Sequence, residues 1–136
     1  MPTSISTGFQ AFRSNLEITD LQAPVVATRQ KRVREAVESG FEVLRVEGLG
    51  IEDLKDLRTV TQPALLEFSA GVREKTPGAD ALVISCGGLH TLELIAPLEK
   101  RCGVPVVSSL PHAFWAAARL VGNSGKAAGF GKLLAS

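Results

Sequence analysis

A chain of 136 residues is long enough for one domain around one hydrophobic core. Its 45% hydrophobic and 21% charged residues are ordinary for a soluble globular protein, and a formal charge of +1, from 15 basic and 14 acidic residues, supplies no field to recruit nucleic acid. No apolar run approaches the roughly 20 residues that a membrane-spanning helix needs, so neither nucleic acid nor a membrane is an expected partner.

Residues 1–22 show no sustained period and are expected as an irregular N-terminal arm. Within them Leu16–Leu21 alternates for a few residues, as a short edge strand or an arm would. The start, MPTSISTGFQAFRSN, lacks the charged-then-apolar layout of a secretory signal. Two cysteines without a pairing motif agree with a reducing compartment, so a cytoplasmic location is expected.

Pro24–Thr28 is a β-branched run and reads as the first core strand. Arg29–Ser39 carries Val33, Ala36 and Val37 at helical spacing, and Gly40 is placed to cap that helix. Phe41–Val46 alternates as a second strand. Ile51–Leu57 reads as a short helix and Gln62–Lys75 as a longer one with Leu65, Leu66, Phe68 and Val72 as its stripe. Ala81–Ser85 is a third strand, Leu89–Arg101 a helix ended by Gly103, Val104–Ser108 a fourth strand, and Pro111–Val121 a last helix. Strands alternating with helices predict an α/β three-layer sandwich on a four-stranded, mostly parallel sheet. The lobe is expected over residues 23–122, and the glycine- and lysine-rich segment 123–136 as a flexible tail.

The chemistry concentrates where Ala81–Ser85 runs into Cys86-Gly87-Gly88 and then a helix. That places a thiol at the carboxyl end of a parallel strand, the edge where open α/β sheets bind ligands. Unpaired N–H groups at a helix start favour negative charge and lower a nearby thiol's pKa. The glycines let backbone N–H groups approach an anion closely, as an oxyanion cradle requires. The plainer alternative is a small buried apolar residue ending a strand. Ser85 adjoins the thiol. Ser108 and Ser109 end the next strand and suit either a carboxylate or the cap of the last helix. His90 and His112 are further candidates, each either an acid/base group or a polar residue at a helix start. Cys102 reads as a partly buried helix-end residue. Its spacing from Cys86, with no acid or histidine cluster nearby, predicts no metal site.

Ser85-Cys86-Gly87-Gly88-Leu89, Gly103–Ser109 and Phe114-Trp115 together resemble the arylmalonate decarboxylase family, within the aspartate/glutamate racemase superfamily that includes maleate isomerase. The likeness is dense over Ala79–Leu120 and looser back to Pro24. It implies one of two similar α/β lobes facing each other across a cofactor-free active site for carbon acids. By position, Cys86 resembles the family's proton-donating cysteine, and Gly87 part of the cradle around it. The family's N-terminal lobe and its tyrosine after the first strand of this lobe have no counterpart in this sequence. The resemblance therefore implies a truncated form, half of a split enzyme, or a lobe that pairs with itself.

The expected function is a cofactor-independent decarboxylase of malonate-type acids, with Cys86 protonating an enediolate held by Gly87 and Gly88. The alternatives are a racemase or cis–trans isomerase of the superfamily, or a non-catalytic half-lobe binding a carboxylate or a partner chain. A small carboxylic-acid substrate is expected, with a homodimer or a separate N-terminal lobe completing the cleft.

Overall fold

The computed structural model describes residues 15–20, 34–51, 53–85 and 88–136. Four parallel strands, β1 (Asn15–Asp20), β2 (Glu42–Gly48), β3 (Ala81–Ser85) and β4 (Val106–Ser108), lie in the order β2-β1-β3-β4. Besides the helix end at residues 34–38, the described residues form α1 (Gln62–Glu74), α2 (Leu92–Cys102) and α3 (Ser109–Leu120). This is the expected α/β class with parallel pairing, but its strands are not all the expected ones. Pro24–Thr28 lies outside the described residues. The position between β2 and β3 belongs instead to Asn15–Asp20, in the segment expected as an irregular arm. Asn15–Asp20 alternates too briefly to stand out in sequence; its pairing with a strand on each side makes it regular.

Strand β3 organises the core because its side chains alternate between faces. Leu82 and Ile84 are fully buried in the main cluster with Leu65 of α1, Ile95 and Leu98 of α2, and Val106 of β4. Ala81 belongs to a smaller cluster with Phe41, packed by Ala36, Val43 and Val46. Phe41 reaches that position through a glycine-capped helix end. Gly40 takes φ +91°, Gly40 N–H donates to Val37 O at 3.0 Å, and Phe41 N–H donates to Ala36 O at 3.1 Å. This paired bonding with an apolar contact across it is a Schellman termination, and the left-handed φ is why glycine serves there.

The N-cap of α1 is Thr61, whose hydroxyl accepts from Ala64 N–H at 3.3 Å, and Pro63 stands in the first turn, where its missing N–H costs nothing. Helix α2 ends at Gly103, φ +71°, with Gly103 N–H donating to Glu99 O at 2.9 Å. The short helix expected at Ile51–Leu57 is a 3₁₀ helix over Leu54–Thr59, begun by Asp53, which accepts from Lys55 N–H at 2.9 Å.

Two boundaries move in ways that matter for the site. Helix α2 starts at Leu92 rather than Leu89, so His90 stands in the preceding turn and not in the helix. Helix α3 starts at Ser109, two residues before Pro111, because proline is tolerated in the first turn and does not have to open the helix.

The segment expected as a flexible tail is packed. Leu133 and Leu134 are buried in the main cluster, and Ala127 N–H donates to Leu134 O at 2.7 Å. Glu99 of α2 holds this segment to the sheet: one carboxylate oxygen accepts Val106 N–H at 3.0 Å, the other Lys132 N–H at 2.9 Å. Gly131, at φ +99°, lies so close to α2 that a Cβ there would stand 2.5 Å from Ile95 Cγ2. At Gly131 the glycine serves this close approach.

Candidate functional site

Strands β3 and β4 are parallel and in register, with Ile84 opposite Ser108, so their carboxyl ends form one rim. Ser85 ends β3, Ser108 ends β4 and Ser109 opens α3. These three serines, with Val83, Val107 and His112, line an open cavity of about 410 Å³ between the sheet and α3. Cys86 and Gly87 lie outside the described residues, and the chain enters them directly from Ser85. Gly88, in the turn that follows, is exposed.

Ser108 is fully buried and stands at the N-cap of α3, yet its side chain makes no cap hydrogen bond. Thr91, at the N-cap of α2, is likewise buried and makes none. The two hydroxyls are instead hydrogen-bonded to each other. This bond ties the loop after β3 to the end of β4 and takes both usual cap acceptors away from their own helices. Two helix N-termini, each the positive end of a dipole, thus flank the carboxyl edge of the sheet without a side-chain cap. Gln62, the first residue of α1, holds the same loop from the other side by donating its side-chain amide to His90 O.

His112 is buried, and its Nδ1 lies 2.9 Å from Ser108 N and 2.8 Å from Ser108 O. Burial pushes its pKa below the ordinary histidine value, while the Ser108 backbone bond and the charge of Glu99 push it the other way. Burial thus favours the neutral ring. Cys102, half-buried at the end of α2, has its thiol pKa pushed up by burial, against the lowering effects of Arg73 and Arg101, which makes it a poor nucleophile.

The rim thus gathers Ser85, Ser108, Ser109 and His112 around one cavity. His90 is not among them. It opens onto a second, larger cavity of about 590 Å³ lined by Leu89, Leu110, Phe114, Trp115 and Leu134. Among the described residues, no group of three or more His, Cys, Asp or Glu side chains is placed to hold a metal ion. No described helix is long and apolar enough to cross a membrane.

A family model for arylmalonate decarboxylase matches residues 21–134. The chain belongs to the arylmalonate decarboxylase family. It is 43% identical over 86 residues to arylmalonate decarboxylase of Bordetella bronchiseptica, a match covering 62% of this chain and 36% of that protein. The fold superposes on a sulfate-associated mutant of arylmalonate decarboxylase with a TM-score of 0.85 and 31% identity, covering 98% of this chain and 57% of the other. Maleate isomerase of Pseudomonas putida shares the fold at a TM-score of 0.74 and 20% identity, over 97% of this chain and 52% of its own. The chain therefore spans little more than half the length of these structures, and about a third of the curated relative is aligned.

Thr91 and Gln62 are the residues that sequence reasoning missed. Thr91 was hidden by starting α2 at Leu89, which made it a first-turn residue, although a threonine directly before Leu92 is a legible N-cap signal. Gln62 carries no local signal, since its partner lies 28 residues away.

Proposed function

We propose that the chain is the cysteine-bearing lobe of a cofactor-independent decarboxylase acting on malonate-type carbon acids. The observation that carries this reading is the gathering of Ser85, Ser108 and Ser109 at one rim beside the uncapped start of α3, in a chain whose next residue after Ser85 is Cys86. One substrate carboxylate leaves as CO2 when its bond to the α-carbon breaks, and the electron pair stays behind as an enediolate. Backbone N–H groups of Gly87 and Gly88 and the rim hydroxyls would hold the developing charge, which is where fixed donors lower a barrier most. The Cys86 S–H then delivers its proton to the α-carbon, and water restores the thiol. A thiol with a pKa near ~8.5 suits this step, because it is mostly protonated at neutral pH yet acidic enough to give the proton up. The monocarboxylate product follows.

A lone lobe leaves one side of such a site open. Helix α3 presents an exposed apolar face that includes Leu110, Phe114, Leu120 and Val121 just after it, with Phe114 71% exposed. Exposed apolar patches of this kind mark interaction surfaces. We therefore assign this face to a second lobe, supplied by another copy of the chain or by a separate N-terminal lobe.

The test is CO2 release from phenylmalonate- and alkylmalonate-type acids by the intact chain and by Cys86→Ala, with solution mass measured alongside. Turnover that the substitution abolishes supports the decarboxylase. Interconversion of enantiomers or of maleate and fumarate without CO2 release would favour a racemase or isomerase instead. No turnover from a well-folded oligomer would sink the self-sufficient enzyme and leave a half-lobe that binds.

A further inference from the structure

The buried histidine at the rim has a geometry that the decarboxylation step does not use. His112 Nδ1 faces the N–H and the C=O of one residue, Ser108, at 2.9 and 2.8 Å. A ring nitrogen either accepts a proton or donates one, so only one of these bonds exists at a time. With the Ser108 N–H as donor, Nδ1 is the acceptor and the ring proton is on Nε2. That atom is buried and has no hydrogen-bond partner among the described residues.

We propose that His112 is a positioning residue: as a neutral acceptor it fixes Ser108 at the end of β4, and through Ser108 it fixes Thr91 and the loop that follows β3. The chain of contacts is short. His112 binds the Ser108 backbone, and the Ser108 hydroxyl binds Thr91. Thr91 ends the turn that follows Cys86-Gly87-Gly88. One ring thus sets both sides of the rim. The side chains of β3 and β4 that share its cavity, Val83, Ser85, Val107 and Ser108, carry no charge. The charge that acts on it comes from Glu99 of α2.

Protonating the ring turns Nδ1 into a donor to the Ser108 C=O, 2.8 Å away, and strips the buried Ser108 N–H of its acceptor. Acidification therefore loosens the rim rather than adding a useful cation to it. This deepens the reading of the cavity as a carboxylate site and rests on it, and phenylacetate, a monocarboxylate of the expected product type, is the probe.

The experiment uses the full chain. Ring-nitrogen NMR, with His90→Asn leaving one histidine signal, reads the tautomer, and amide exchange reads Ser108. Phenylacetate binding is followed between about pH 8 and 5.5, the range in which a histidine changes charge. The ring proton should sit on Nε2, the Ser108 amide should exchange slowly, and phenylacetate should bind more weakly as the ring protonates. His112→Leu should speed Ser108 exchange and weaken phenylacetate by about five- to tenfold at every pH, the scale of one lost hydrogen bond. His112→Asn, whose amide oxygen can still accept from Ser108, should restore both and abolish the acid limb. That variant keeps the test alive if His112→Leu fails to fold. A proton on Nδ1, Ser108 exchange indifferent to His112→Leu, or binding that tightens on acidification would overturn the proposal. Slow Ser108 exchange that depends on His112, in a chain that binds no phenylacetate, would uphold the positioning role and sink the carboxylate reading alone.

Discussion

Thr91 and Ser108, seventeen residues apart and on different sides of α2, share a hydrogen bond between their hydroxyls where neither is reached by water. Each hydroxyl has the other as partner, so the pair stands or falls together. Ser108→Ala leaves Thr91 with a buried unpaired hydroxyl and should cost about 1–3 kcal/mol. Thr91→Val should cost a similar amount. The double substitution should cost clearly less than the sum, because two apolar groups leave nothing unsatisfied. A double-mutant cycle by denaturant unfolding measures the coupling, and strict additivity would show that the pair is not a unit.

The pH dependence of stability follows from His112. Its folded-state pKa lies below the ordinary histidine value, mainly through burial. The unfolded chain therefore binds more protons than the folded one in the window between the lowered value and about 6.5. Stability rises with pH through that window and is lost as pH falls through it. His112→Asn should flatten this limb in urea midpoints taken across the same range, and an unchanged slope would place the titration elsewhere.

Glu99 joins the edge strand β4 to the C-terminal segment through two backbone N–H groups. Glu99→Ala removes the acceptor of both and should destabilise the fold by about 2 kcal/mol, given the usual worth of hydrogen bonds to a charged group. Amide exchange should rise at Lys132 and Ala127 as the segment loosens. Equal protection in the variant would mean that Leu133 and Leu134 hold the segment without help.

Gly131→Ala addresses the same junction from the backbone. The residue is at φ +99°, and the added Cβ would meet Ile95 at 2.5 Å. A left-handed conformation costs a non-glycine residue on the order of 1–3 kcal/mol before any clash is counted. The thermal midpoint should fall accordingly. At Gly78, where a Cβ meets nothing within 4 Å and φ is not left-handed, the same substitution should be near neutral.

Phe114, 71% exposed on α3, contributes little to the lone lobe. Phe114→Glu should leave the unfolding midpoint within about 0.5 kcal/mol of the parent, as surface changes usually do. If α3 is the face that meets a second lobe, the same variant should shift the solution mass towards the monomer. An unchanged oligomer would move the interface away from α3.

Much of the lobe was legible because its signals are local. The short branched apolar run of Ala81–Ser85, the stripe of Leu65 and Val72 in α1, and the left-handed glycines at 40 and 103 are set by residues a few positions apart. The likeness at Ser85–Leu89 and Gly103–Ser109 is equally a property of the chain as written, and it indicates the family before any coordinates. The tertiary structure alone decided what depends on partners far away in sequence. Asn15–Asp20 becomes a strand because β2 and β3 flank it. Residues 123–136 pack because Ile95 and Glu99 receive them. His112 joins Ser108 at the rim while His90 turns to another cavity, since α2 begins three residues later than its apolar pattern suggests. Sequence periods report which face of an element is apolar, and only packing decides what that face meets.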